Sequence, residues 1–366
     1  MTGQSIRTTR RPDSARTHRA AWQRGSRAAT LAVGLGVALG ATPLLADALP
    51  ATDGSAPWGN SYSLAYSGGE LYLHTGDSLY LIDDADRDNI TFETHMTDLE
   101  LAFGGGRRWF EGAFATDADG HALMSMGYSD RGMLRLDLAS QTAQTVSAFD
   151  DDNIFSIAGR RGGHFYAMWA DPDFVAPESF THIYHVGPDG EPVFAFDPAP
   201  GDNSGGLAFT PDDDLIVSSF VPGGGPLGTN RFFRVLAADL AAFEADGSEP
   251  GVELIAELTQ TNSTSTLIVD RDGLVFFNTT TGIGYIDPNT GDAGTFRGDI
   301  ADPDLFSYAN VPLDGLAYNA DTHELVFAEF DADIGDYHLR YAVVPEPGSA
   351  TLVAAAGLVV MLRRRR

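Results

Sequence analysis

The sequence predicts an all-β fold arranged as a ring of repeated sheets, and three observations predict it. One phrase recurs along the chain: a short apolar strand, an acidic or glycine turn, then a second alternating strand. Its copies begin at Leu64, Phe114, Ile157, Leu207, Leu267 and Leu316, at intervals of 50, 43, 50, 60 and 49 residues. Propeller blades repeat at about 40 to 50 residues. Several copies add a second hairpin downstream, which makes four short strands per unit. These together read as a β-propeller of about six four-stranded blades, with five or seven also compatible with the spacing. A pair of β-sandwiches is the rival arrangement of the same strands.

The first hairpins turn where the backbone must take a positive φ, through Gly68-Gly69, Asp119-Gly120 and Asp272-Gly273. The second hairpins pair 134–138 with 143–147, and 183–186 with 192–195 across Gly187-Pro188-Asp189-Gly190. Another starts at 283–286 and turns at 287–291. The pattern resembles propellers of the NHL and WD40 kinds over residues of about 60 to 344, without the Trp-Asp or Gly-His marks of WD40. That resemblance implies an architecture and no activity. After Leu316 there is room for about three strands before Pro345, so the stretch from Trp58 to Ser63 could lend a strand and close the ring. Residues 221–229 read as a loop by their Gly and Pro content. Leu236 to Ala245 is either a short insertion helix or an irregular strand pair.

Both ends read as addresses. Residues 1–48 predict a signal peptide: seven Arg in an N-terminal basic segment, an apolar run from Ala28 to Leu45, then Ala46-Asp47-Ala48 as the small-residue cleavage pattern. Arg10-Arg11 suggests a twin-arginine route, but Pro12-Asp13 follows where that route needs apolar residues. An uncleaved N-terminal anchor is the plainer alternative, though the run is short and Gly-rich for a stable span.

At the other end, Pro345, Glu346 and Pro347 precede an apolar run from Ala350 to Leu362 and the block Arg363, Arg364, Arg365 and Arg366. As a helix the run covers roughly 20 Å, short against a bilayer core of about 30 Å. Four terminal Arg cannot be buried and fit a cytoplasmic stop after a short transmembrane helix. This ending resembles the PEP-CTERM sorting signal, with all three parts in order between 345 and 366. The resemblance implies export to the cell envelope or extracellular space, transient membrane association, and the secretion machinery and an exosortase as partners. It makes Pro345, Glu346 and Pro347 substrate residues of that transpeptidase, and it implies an exopolysaccharide-making envelope. The alternative is an ordinary tail anchor that stays intact. The propeller domain is then 49–344.

Charge narrows the partners. The chain has 51 Asp+Glu against 23 Lys+Arg, for a formal charge of −28, and every basic residue is Arg. An acidic surface excludes nucleic acid, whose phosphates need a basic face. Without Cys there is no disulfide, thiolate zinc site or cysteine nucleophile. Adaptation to a salty or mineral-rich medium accounts for the acidity without any binding role.

Among the chemical candidates, Asp84, Asp86 and Asp88 alternate as in a calcium loop. Asn89 and His95 stand where an EF-hand needs Gly and Glu, so a solvated turn competes with a Ca²⁺ site. Asp150 to Asp152 and Asp212 to Asp214 read as turn clusters. His182 and His185, three apart in a strand, point to opposite faces, which argues against one metal site. His74, His121, His164 and His323 each lie near the second strand of a repeat; channel-lining positions are weighed against strand-end surface histidines. No nucleophile elbow, Walker loop, H-E-x-x-H or dinucleotide fingerprint is present.

The leading expectation is a non-catalytic exported protein that binds or organises exopolysaccharide or other surface material, with no cofactor. The alternatives are a secreted propeller hydrolase or lyase acting on a sugar or ester, and a calcium-dependent adhesin. The hydrolase needs titratable groups converging at the channel.

Overall fold

The computed structural model describes residues 63–75, 78–87, 89–99, 113–126, 132–146, 153–170, 182–190, 192–200, 202–221, 228–260, 266–279, 282–298, 315–331 and 336–344. Blade one comprises β1 (Ser63–Ser67), β2 (Glu70–Thr75), β3 (Ser78–Asp83) and β4 (Thr91–Met96). Blade two comprises β5 (Phe114–Thr116), β6 (His121–Met126), β7 (Gly132–Asp137) and β8 (Thr142–Val146). Blade three holds β9 (Asn153–Arg160), β10 (His164–Ala170), β11 (Ile183–Val186) and β12 (Pro192–Phe196). In blade four, β13 (Asn203–Phe209), β14 (Leu215–Val221) and β15 (Gly228–Val235) are followed by α1 (Ala237–Asp246) and β16 (Val252–Gln260). Blade five comprises β17 (Leu267–Val269), β18 (Val275–Thr279), β19 (Gly282–Ile286) and β20 (Ala293–Gly298). Blade six shows β21 (Leu316–Asn319), β22 (Glu324–Asp331) and β23 (Asp336–Val343).

Every sheet is an antiparallel meander in chain order. The first strand of each blade neighbours the first strand of the next, and β21 returns to β1, so the ring closes as a six-bladed propeller. The sandwich alternative is thereby excluded, and six is the blade count. Blade six has three strands among the described residues, as its length predicts. Of the stretch from Trp58 to Ser63 that could supply a fourth, Ser63 opens β1 of blade one and residues 58–62 lie outside them.

The cores are the seams between blades. Six apolar clusters line the six seams in turn, including one that joins blade six to blade one through Val326, Ala328, Leu71 and Leu73. The second strand of each blade explains how. In β18, Val275 and Phe277 face blade four while Phe276 faces blade six. Successive side chains of a strand point to opposite faces, and here both faces are covered. A second strand therefore reads as continuous apolar sequence, and each large buried side chain contributes about 1.5–3 kcal/mol.

A meander places its first-to-second and third-to-fourth connections at one end of the ring, here termed the turn end. The other connections share the opposite, loop end. Acidic and amide side chains organise the turns. Asp117 Oδ1 accepts the amides of Asp119 and His121 (both 2.9 Å), and Asp270 Oδ1 those of Asp272 (2.9 Å) and Leu274 (2.8 Å). Asn319 does the same for Asp321 and Thr322 in blade six. Each carboxylate replaces a backbone acceptor in the tight turn, which is the physical reason acids recur there.

Helix α1 resolves the Leu236–Ala245 ambiguity in favour of a helix. It connects β15 to β16 at the turn end and ends at Gly247 in a left-handed conformation (φ +75°), whose amide bonds back to Phe243. Leu240 and Phe243 are buried against Ile183, Phe196 and Ala199 of blade three. The insertion thus caps the seam between blades three and four. After β23 the chain reaches Val344, whose amide donates to His323 O (3.0 Å) at the turn end. No helix among the described residues is long and apolar enough to cross a membrane; residues 1–62 and 345–366 lie outside them.

Candidate functional site

Buried charges on a mostly apolar scaffold need an explanation, because an unpaired one is costly. Among the described residues the buried carboxylates are Asp117, Asp202 and Asp270. Asp117 and Asp270 hold turns. Asp202 closes the turn from Ala199 through its amide (3.1 Å), while its carboxylate accepts from Ser219 Oγ (2.7 Å) and faces Arg231 Nη1 at 3.3 Å. It precedes β13, the inner strand of blade four, and is therefore at the loop end, with its carboxylate directed over β14 toward β15.

Strand register builds this group. Ser204, Ser219, Arg231 and Glu257 are consecutive Cα partners across β13, β14, β15 and β16. One rung of the blade thus runs from the inner strand to the outer edge. Arg231 donates through Nε to Glu257 (2.9 Å) and so bridges two carboxylates, one buried and one half exposed. Side chains from two strands, Ser219 of β14 and Arg231 of β15, orient Asp202 while it stays only 5% exposed. A carboxylate held this way can take a proton from water or ligate a hard cation.

Three other buried polar groups of the loop end have structural duties. Ser125 donates to Ile154 O (2.9 Å) of the next blade, Ser218 Oγ accepts the Gly206 amide (2.6 Å), and Asn278 Oδ1 accepts the Thr266 amide (3.2 Å). They satisfy the ends of inner strands, as buried backbone requires.

A second constellation lies at the turn end, in the seam that α1 covers. Glu244 Oε1 accepts from Arg160 Nη1 (2.6 Å) and Tyr166 OH (2.8 Å). His164 Nδ1 and His185 Nε2 share a hydrogen bond of 2.8 Å, their rings stacked at 5.1 Å and 9°. His185 Nε2 lies 4.0 Å from Glu244 Oε1. Burial pushes the His185 imidazole down to about 4, so it is neutral at pH 7. Burial likewise raises the Tyr166 phenol far above its ordinary range. Among the described residues, shifted groups thus converge in this seam.

The remaining candidates fall as follows. Asp84 is held by Arg87 Nη1 (2.6 Å) and Tyr66 OH (3.5 Å), Asp86 lies in the β3–β4 turn, and Asp88 is outside the described residues. Asp150 to Asp152 are also outside them, whereas Asp214 Oδ1 accepts the Ala237 amide (2.8 Å) at the start of α1. The surface reading of the four repeat histidines holds for neither His74 nor His323, which are buried. His121 is half exposed and meets Asp117 Oδ2 (3.0 Å). Ala46, Ala48, Pro345 to Pro347 and Arg363 to Arg366 lie outside the described residues.

Sequence reasoning singled out neither Asp202 nor Glu244. Asp202 follows Pro198-Ala199-Pro200-Gly201 and reads as a turn acid until the β13–β14 register sets it beside Ser219. His185 was weighed against His182, whereas its partner is His164, across the β10–β11 pairing. The available signal was the alignment of the second and third strands of blade three.

No family model matches the sequence, and no curated protein matches it. Solved structures do match. A Xanthomonas campestris protein described as a gluconolactonase of glucose secondary metabolism is similar with a TM-score of 0.52 and 16% identity, covering 78% of this chain and 87% of its own. A protein described as a candidate gluconolactonase gives 0.50 and 13%, over 78% and 89%. A calcium-binding regucalcin from Agrobacterium tumefaciens gives 0.48 and 14%, over 79% and 93%. At these identities the likeness shows the propeller fold.

Proposed function

We propose that the chain is an exported propeller hydrolase acting on a sugar-derived ester or lactone, with Asp202 as its acid–base group. The observation that carries this reading is Asp202 itself: a buried carboxylate at the loop end of blade four, oriented by the side chains of Ser219 and Arg231. In the reaction, Asp202 takes a proton from water as its oxygen adds to the ester carbonyl. The tetrahedral intermediate then expels the alcohol, which leaves with that proton. The description of the Xanthomonas campestris neighbour supports a sugar lactone as the substrate class.

Export is supported by the basic and apolar leader and by the Pro345-Glu346-Pro347 tail with its terminal Arg block. On this reading an exosortase is the processing partner and the envelope or extracellular matrix the destination. Mass spectrometry of the C-terminus from native cells tests that part, and an intact Arg366 on the mature protein overturns it.

The activity is tested on the purified full chain with a panel of sugar lactones and aryl sugar esters in a pH-stat. Asp202→Asn keeps the Ser219 contact and the fold, and is expected to lower turnover about 10²-fold or more. Turnover unchanged in Asp202→Asn overturns the assignment. Binding of exopolysaccharide with no hydrolysis of any substrate overturns the enzyme reading in favour of a binding module.

A further inference from the structure

We propose that His164, His185 and Glu244 form a binding site for a divalent transition-metal cation of the zinc class, which ties α1 of blade four to blade three. This inference does not rest on the hydrolase reading, because Asp202 lies at the opposite end of the ring.

The first argument is convergence. One ligand atom from each of the three residues lies within 4.8 Å of the other two. The residues come from β10, β11 and the inserted helix, so neither local sequence nor a single turn brings them together. The second is donor chemistry. Two imidazole nitrogens and a carboxylate oxygen suit Zn²⁺, with ligand distances of about 2.0–2.2 Å, and leave a fourth tetrahedral position for water. Calcium and magnesium prefer oxygen alone.

The third is the surrounding shell. Arg160 and Tyr166 both donate to Glu244 Oε1, the oxygen 4.0 Å from His185 Nε2, and so orient the carboxylate toward the imidazole pair. His185 is 3% exposed, and among the described residues its buried Nδ1 meets no hydrogen-bond partner, while Nε2 faces the cluster and pairs with His164. Binding needs the His164–His185 pair to open and Glu244 to approach, each by a fraction of a turn about its side-chain bonds. Arg160 competes for the carboxylate, so the site favours reversible occupancy over permanent retention.

The full chain, stripped with chelator, is titrated with Zn²⁺ by calorimetry and with Co²⁺ by its visible d–d spectrum. One equivalent is expected to bind, with a tetrahedral Co²⁺ signature and a rise in melting temperature that grows with free metal. Glu244→Gln keeps an acceptor for Arg160 and Tyr166, and His164→Ala removes a half-exposed ring; both variants are expected to fold. Each should weaken binding at least tenfold and abolish the Co²⁺ spectrum. Wild-type affinity retained in both variants, or no saturable binding to the stripped protein, overturns the proposal.

Discussion

The guanidinium carbon of Arg87, in the first blade, lies 3.5 Å from the ring centroid of Tyr341, in the last. The same side chain reaches Asp84 (2.6 Å) in its own blade and Glu324 (3.0 Å) in blade six. Tyr66 also reaches Asp84, and burial raises both its phenol and that of Tyr341 well above their ordinary range. One cation therefore meets two carboxylates and an aromatic face at the seam where the ring closes.

Arg87→Ala is expected to destabilise the ring by about 1–3 kcal/mol, since it removes a stacked cation and leaves two partly buried acids side by side. Arg87→Lys should recover less than half of this, because an ammonium cannot serve both carboxylates and the ring in one plane. Denaturant midpoints check it. A midpoint for Arg87→Ala equal to that of the wild type would show that the closure depends on the apolar seam alone.

Gly159 in β9 marks a close approach between two blades. A Cβ placed there would stand 2.2 Å from Thr116 O, a backbone atom of blade two that cannot swing aside. Gly159→Ala is expected to cost about 1–3 kcal/mol through forced separation of the inner strands. Thermal unfolding measures the loss; an unchanged melting temperature would mean that neighbouring blades can slide at no cost.

Asp270 yields a pH-dependent expectation. Burial raises its carboxyl above the ordinary range, outweighing the amides of Leu274 and Asp272 that favour the charge. A carboxyl raised on folding favours the native state at low pH, and that advantage is lost as pH rises through the folded value. Asp270→Asn, which copies the amide already used at Asn319, should therefore leave acid stability unchanged. It should stabilise the protein at pH 7, by up to about 1 kcal/mol. Melting curves at pH 4 and pH 7 decide; a variant less stable at pH 7 would show that the ionised carboxylate is the better turn acceptor.

Much of the ring is legible in the sequence because its interactions are periodic. Leu71, Leu73, Val275 and Phe277 repeat the same inward positions, and Gly120 and Gly273 mark the same turn. Helix α1 is less legible: Leu240 and Phe243 are its only buried residues, and the alanines between them suit a strand pair nearly as well. The sites are less legible still. Asp202 and Ser219 are 17 residues apart, and Tyr166 and Glu244 are 78 apart. No local pattern joins such pairs; strand register supplies one, and the lodging of a helix on its neighbouring blade supplies the other.

Val344 leaves the propeller beside His323, on the side that carries the hairpin turns and α1. A ring moored through the residues beyond it would turn that side toward its anchor. Asp202 would then look outward, toward whatever diffuses past, while the histidine pair beneath the helix would sit in the shelter of the surface. Release of the mooring would change what the sheltered side can meet and leave the outward side as it was.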